Sequence, residues 1–177
     1  MTPEQCLDQV WQILTASGTS AGGPPGSASG GWSPDLPRHA QAEIYETSDQ
    51  TLTWTYVRPG DAGEAARMTI ALLCDGPVSA GLPEEVPGLP LRDEAARLLQ
   101  AAGLAALPSG FCYQAGESYP EQLVIDPALP SRGIVRIAGD GGIFWEFRPA
   151  APGSSGLDPY TAARAITAAL SQAHSGA

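Results

Sequence analysis

The apolar residues of positions 2–16 recur at helical spacing. One stripe at i, i+3, i+4 and i+7 is typical of an amphipathic helix with a buried face. Thr2 can cap this helix, and Pro3 suits its first position. We therefore predict a helix over 2–16. The stripe comprises Leu7, Val10, Trp11 and Leu14.

Apolar and polar residues alternate over positions 40–47 and 51–57, which predicts two antiparallel strands joined by a three-residue loop. This loop length places Ile44 opposite Trp54, so the large side chains share one face. It also places Ala42 opposite Tyr56. A third and more apolar run at 67–74 is predicted as an interior strand. Its shared face comprises Met68, Ile70, Leu72 and Cys74.

Residues 77–90 are interrupted by prolines, so we predict an ordered loop there and not a helix. Helical spacing returns over 91–102, and Gly103 stands where a left-handed C-terminal cap belongs. The predicted buried face of this helix comprises Leu91, Ala95, Leu98, Leu99 and Ala102. Further on, residues 123–125 are predicted as a short strand.

A hairpin is predicted over 134–148, because glycines able to take positive φ separate two apolar runs. A loop of residues 140–142 keeps the large side chains on one face. The register then pairs Val135 with Phe147, Ile137 with Trp145, and Arg136 with Glu146. After this hairpin, Asp158 is predicted to cap a last helix that begins at Pro159 and frays from Ser171. Its predicted buried stripe comprises Ala162, Ile166, Ala169 and Leu170.

These elements predict an α+β fold in which helices cover an antiparallel sheet, built from a three-strand meander and a C-terminal hairpin. The predicted order is α-β-β-β-α-β-β-α. We divide the chain into an N-terminal helix at 1–16, a Gly/Ser/Pro-rich linker at 17–37 and a single domain at 38–177.

Composition removes several classes of function. The 177 residues include nine basic side chains, all arginine, against 19 acidic ones, for a formal net charge of -10. Walker loops, protein kinases and Schiff-base enzymes need a lysine that this chain lacks. The negative charge repels a phosphate backbone, so no nucleic-acid partner is expected. No segment has the pattern of a leader or membrane span, so we expect a cytoplasmic protein without a membrane partner. The composition is typical of a GC-rich bacterial genome.

Candidate catalytic and metal-binding groups are scattered. Three widely spaced cysteines fit reduced core thiols, and the two histidines, His39 and His174, do not form a ligand cluster. Ser118 has only part of a nucleophile-elbow pattern and is interpreted as a loop serine. We therefore predict no catalytic residues, no cofactor and no metal site.

Three residues are predicted to bind a partner. Trp32 is an aromatic residue within the linker, where it anchors either the linker on the sheet or a partner. Glu84 and Glu85 add negative charge to the loop at 77–90. The leading hypothesis is a non-enzymatic, chaperone-like protein whose acidic surface binds a basic or amphipathic polypeptide. The alternatives are an immunity-type inhibitor of a basic toxin, and a small-molecule enzyme with a pocket beneath the loop.

The predicted order of elements from Thr2 to Gln172 resembles that of the type III secretion chaperone-like fold and the related YbjN family of small bacterial proteins. The resemblance implies an acidic protein without enzymatic activity. It also implies binding of another polypeptide through the sheet or a helical face, often as a homodimer.

Overall fold

The computed structural model describes residues 2–16, 41–47, 51–57, 61–74, 82–109, 112–114, 117–119, 122–126, 132–138, 141–150 and 156–174. These residues include four helices. They are α1 (Pro3–Ala16), α2 (Ala62–Leu73), α3 (Leu91–Ala101) and α4 (Pro159–His174). Within these ranges, no helix is long and apolar enough to cross a membrane.

The strands form one large and one small antiparallel sheet. The large sheet has the order β1-β2-β8-β7-β6-β3, and β4 pairs with β5 separately. The strands are β1 (Gln41–Thr47), β2 (Thr51–Val57), β3 (Ala105–Ser109), β4 (Cys112–Gln114), β5 (Glu117–Tyr119), β6 (Gln122–Asp126), β7 (Ile134–Ile137) and β8 (Ile143–Phe147). The predicted α+β class, an antiparallel sheet covered by helices, is confirmed.

The core lies between one face of the large sheet and the helices. Alternate residues of β2, β7 and β8 are buried on this face, where α1, α2 and α3 contact the sheet. The helix α4 packs against α1 and α2, so α2 is enclosed by the sheet, α3 and α4. The buried sheet residues are Leu52, Trp54, Tyr56, Val135, Ile137, Ile143, Trp145 and Phe147.

Capping residues define three helix ends as the sequence predicts. Thr2 and Gln5 exchange side-chain to backbone hydrogen bonds of 3.2 and 3.0 Å at the start of α1, which is a capping box. Asp158 accepts the Thr161 N–H at 2.9 Å at the start of α4. At the end of α3, Gly103 has φ 87°, as in a Schellman motif.

The strand predicted at 67–74 is wrong, because these residues lie in α2 and its C-cap. Asp61 begins the helix by accepting the Glu64 N–H at 2.7 Å. Since α2 is buried on nearly all sides, its apolar residues do not follow a one-face period. An apolar run of this kind does not distinguish a buried strand from a buried helix.

The predicted pairing of β1 with β2 is confirmed, with Ile44 opposite Trp54 and Ala42 opposite Tyr56. The predicted register of β7 with β8 is wrong by two residues. Arg136 lies opposite Phe144, and the pairing closes where the Ala138 N–H donates to the Gly142 carbonyl at 2.8 Å.

This two-residue shift in register leaves the same side chains on the buried face, because only a shift by an odd number of residues exchanges the two faces of a strand. The predicted ion pair also forms, as a diagonal contact of 2.6 Å between Arg136 Nη1 and Glu146 Oε1.

Other differences concern the middle and the end of the chain. The strand predicted at 123–125 is confirmed as part of β6, whereas β3, β4 and β5 were not predicted. Ser118 lies in β5 and not in a loop. The last helix continues through Ser171 to His174, where fraying was predicted. Cys6 is buried and Cys74 half-buried, both as free thiols.

Candidate functional site

Residues 82–90, which we call the braced turn, form no helix or strand, as predicted for the loop at 77–90, while residues 77–81 lie outside the described residues. Pro87 is followed by Gly88 at φ 89°, the residue order and backbone sign of a type II turn. The aliphatic side chains before and after this pair face solvent, with Val86 45% and Leu89 43% exposed.

Three hydrogen bonds attach the braced turn to its neighbours, two through its backbone and one through the Glu85 side chain. The Gly63 N–H at the start of α2 donates to Glu85 Oε1 at 2.7 Å. The Val86 N–H donates to Glu94 Oε1 at 2.8 Å. Arg97 Nη2 donates to the Glu84 carbonyl at 2.6 Å. The turn is thus attached to both α2 and α3.

Glu94 and Arg97 form the centre of this attachment. Arg97 donates from Nε to Glu94 Oε2 at 2.9 Å and from Nη2 to Oε1 at 2.6 Å. The hydrogen bonds from Arg97 lower the pKa of Glu94 to about 2, outweighing the opposite effect of burial, and the Val86 N–H contributes to the shift. The Glu94 carboxylate is therefore ionised at physiological pH, in the form that accepts the Val86 N–H of the turn.

The surface of the braced turn combines apolar and acidic groups. Pro87 and Pro90 are exposed beside Val86 and Leu89. The acidic side chains around this apolar surface are those of Glu84, Glu85 and Asp93, all exposed. Such a surface fits a partner with both apolar and cationic groups.

Two of the three predicted partner-binding residues lie in the braced turn. Glu84 and Glu85 are next to each other and exposed, although one oxygen of Glu85 is committed to Gly63. Trp32 lies outside the described residues. A role in partner binding stays a prediction for all three.

Sequence reasoning missed the residues that hold and complete the turn. Glu94, Val86 and Leu89 are not among the residues that the sequence singles out. The available signals were the i, i+3 spacing of Glu94 and Arg97 and the Pro87-Gly88 dipeptide.

A second group of ionisable residues lies where α2 ends and α4 begins. Cys74 is the C-cap of α2, and burial raises the pKa of its thiol although Arg132 opposes the shift. Burial also lowers the pKa of Arg132, which has Asp158 and Arg164 among its charged neighbours. A thiol with a raised pKa is a poor nucleophile at neutral pH, so Cys74 does not indicate covalent catalysis.

Within the ranges that the structure describes, no group of three or more His, Cys, Asp or Glu side chains could hold a metal ion. Comparison with protein-family models, curated proteins and solved structures finds no match for this chain.

Proposed function

We propose that this chain is a non-enzymatic, chaperone-like protein of the bacterial cytoplasm that binds a basic or amphipathic polypeptide at the braced turn. One observation carries the proposal. The turn keeps Val86 and Leu89 exposed to solvent although two hydrogen bonds to its backbone and one to the Glu85 side chain attach it to α2 and α3.

A fixed turn favours binding because little conformational entropy is lost when a partner docks. Burying the exposed parts of Val86 and Leu89 contributes about 1 kcal/mol each, since full burial of such a side chain contributes about 1.5 to 3 kcal/mol. The acidic side chains Glu84, Glu85 and Asp93 attract a cationic partner and exclude an anionic one. The polypeptide-binding role implied by the YbjN-like resemblance agrees with this proposal.

A defined amphipathic peptide tests the proposal. The probe is a fluorescent helical peptide with a leucine face and an arginine face, and its affinity is measured by anisotropy. A scrambled peptide of equal composition controls for charge alone. We expect the ordered peptide to bind more tightly than the scrambled one, and more weakly as salt increases.

Two variants locate the contact. Leu89→Asp should weaken binding by about tenfold, because it removes an apolar contact and places a charge there. Leu107→Asp is the matched control, since Leu107 is 62% exposed on the edge strand β3 and is not a residue of the turn. Equal affinity for both peptides, or equal effects of the two substitutions, contradicts the proposal.

A further inference from the structure

The two edge strands of the large sheet differ in how well they resist a further strand. At one edge, β3 contains Pro108, which has no N–H to donate and interrupts continuous pairing along that edge. At the other edge, β1 is 7 residues long and contains no proline, no glycine and no basic residue. Among the strands that the structure describes, β1 pairs only with β2. Its other side therefore offers backbone N–H and C=O groups to a further strand.

The helix α1 places an aromatic side chain beside this edge. It packs over β1 and β2 and against α4, which also packs against α2. Burial and the charge of Asp158, which directly precedes α4, raise the pKa of the Cys6 thiol, so Cys6 lies on the flank of α1 that faces α4. Trp11 is half-buried and lies about 140° further around the helix axis. Trp11 therefore lies on the flank of α1 toward the edge of the sheet.

The residues of β1 can pair with a second copy of β1 without placing like charges opposite each other. Antiparallel pairing centred on Ile44 aligns all 7 residues of the two strands. Glu43 then lies opposite Tyr45 of the second copy, and Glu46 lies opposite Ala42. Any other centre shortens the pairing, and a centre at Glu43 or Glu46 places two glutamates opposite each other, which is unfavourable. The strand is therefore complementary to itself in one register.

We propose that two copies of this chain form a two-fold symmetric dimer, in which the β1 strands pair antiparallel about Ile44 and Trp11 of each copy lies beside the paired strands. The pairing joins two 6-stranded sheets into one continuous sheet. Pro108 interrupts both β3 edges that remain, so assembly stops at the dimer. The interface uses no residue of the braced turn, so this proposal and the proposed function are independent of each other.

The net charge determines how this dimer responds to salt. Each copy carries a formal net charge of -10, so two copies repel each other at long range. Salt screens this repulsion, whereas hydrogen bonds between strands and contacts of an aromatic ring act only at short range. Added salt should therefore strengthen the dimer. An interface between oppositely charged surfaces would weaken instead.

Sedimentation velocity of the full chain over a concentration series tests the proposal. We expect a monomer–dimer equilibrium without larger species, shifted toward the dimer as salt increases. Two substitutions at Tyr45 test the register, because this position lies opposite Glu43 twice in each dimer. Tyr45→Glu should weaken the dimer by about fivefold, and Tyr45→Arg should strengthen it by about the same factor. Loss of the tyrosine alone would act in the same direction in both variants.

Substitutions at Thr47 are the matched control. Thr47→Glu and Thr47→Arg change the net charge of the dimer as the Tyr45 variants do, but Thr47 lies opposite Gln41 of the second copy in the proposed register. Their effects should therefore be much smaller. If pairing were centred on Tyr45 instead, Thr47 would lie opposite Glu43, and the Thr47 variants would have the larger effects.

Hydrogen exchange of the wild type tests the edge without any substitution. Backbone amides of β1 should exchange more slowly at a concentration where the dimer forms, while those of β3 stay unchanged. Trp11→Ala should weaken the dimer by about tenfold, because aromatic side chains contribute strongly to interfaces. An effect of this substitution on folding alone would leave the exchange of β1 in the wild type independent of concentration.

Four outcomes overturn the proposal. They are a wild type that stays monomeric at every concentration, Tyr45 variants that both shift the equilibrium in one direction, Thr47 variants with effects as large as those of the Tyr45 variants, and protection of β3 in place of β1. A monomeric wild type that still binds the amphipathic peptide would refute the dimer and leave the proposed function standing. A dimer that does not bind the peptide would do the reverse.

Discussion

Replacing Gly88 by alanine tests whether the braced turn depends on its backbone conformation. Gly88 has φ 89°, and a Cβ added there would meet nothing within 4 Å. The cost of Gly88→Ala is therefore backbone strain alone, about 1 to 2 kcal/mol for an L-residue in the left-handed region. Lower entropy of the unfolded chain offsets about 0.4 to 1 kcal/mol of it. We expect a net loss of about 1 kcal/mol.

Gly103→Ala is the matched control. Gly103 has φ 87° and equally open surroundings, but it caps the far end of α3. Both substitutions should lower the free energy of unfolding by similar amounts, which corresponds to about 2 to 4 °C in melting temperature for a chain of this size. Only Gly88→Ala should also weaken binding of the amphipathic peptide. We expect the affinity to fall by about fivefold, which is equivalent to about 1 kcal/mol.

Urea denaturation and peptide anisotropy on the same preparations provide both measurements. If Gly88→Ala costs no stability while Gly103→Ala does, the turn does not require a positive φ at this position. If both substitutions weaken peptide binding equally, the effect is global and the turn is not the contact surface.

Three further predictions concern groups around the turn and in the core. The pKa of Glu94 falls from 4.5 to about 2 on folding, so its stabilising effect is complete above pH 4.5 and is lost as the pH falls toward 2. Glu94→Gln should flatten the pH dependence of the urea midpoint in that window, and an unchanged slope would refute this. Gly63→Ala should displace the Glu85 carboxylate, because the added methyl group collides with its Oε1, and so weaken binding of the amphipathic peptide. The urea midpoint should change little, since alanine is favoured over glycine within a helix, and an unchanged peptide affinity would count against this prediction. Burial raises the pKa of Cys6 to about 11, so iodoacetamide should modify it slowly until urea unfolds the chain, and rapid modification of the native protein would contradict its burial.

The sequence predicts the helices and strands that depend on residues close together in the chain. The pairing of β1 with β2 follows from a three-residue loop and alternating side chains. The starts of α1 and α4 follow from Thr2 and Asp158, whose short polar side chains bind the free N–H groups of a first helical turn. Gly103 identifies the end of α3 for a similar reason.

The helix α2 could not be predicted in the same way, because burial on nearly all sides removes the one-face periodicity on which the prediction relied. The strand β3 was missed because it contains Pro108 and pairs with the distant β6. A proline is tolerated there because β3 is an edge strand of the sheet. The register of β7 and β8 was wrong because two loops of odd length satisfy the same facial alternation.

The candidate site likewise has one part that the sequence predicts and one part that only the fold reveals. Its exposed acids, Glu84 and Glu85, could be chosen from sequence because charged residues in a proline-rich segment are usually solvent-accessible. The hydrogen bonds that hold them could not. The partner of Glu85 lies 22 residues away and the partner of the Glu84 carbonyl lies 13 residues away, and only the packing of α2 against α3 brings these groups together.

The enclosure of α2 determines how its backbone amides exchange with solvent hydrogen. Its backbone amides are covered by the sheet, α3 and α4, so they exchange with solvent hydrogen only when the whole domain unfolds. The first turn of α2 differs, because the Gly63 amide is protected by Glu85, a residue of the surface turn. This amide is therefore a natural reporter. A partner that docks on the turn should slow its exchange, while the amides deeper in α2 respond only to the total stability of the fold.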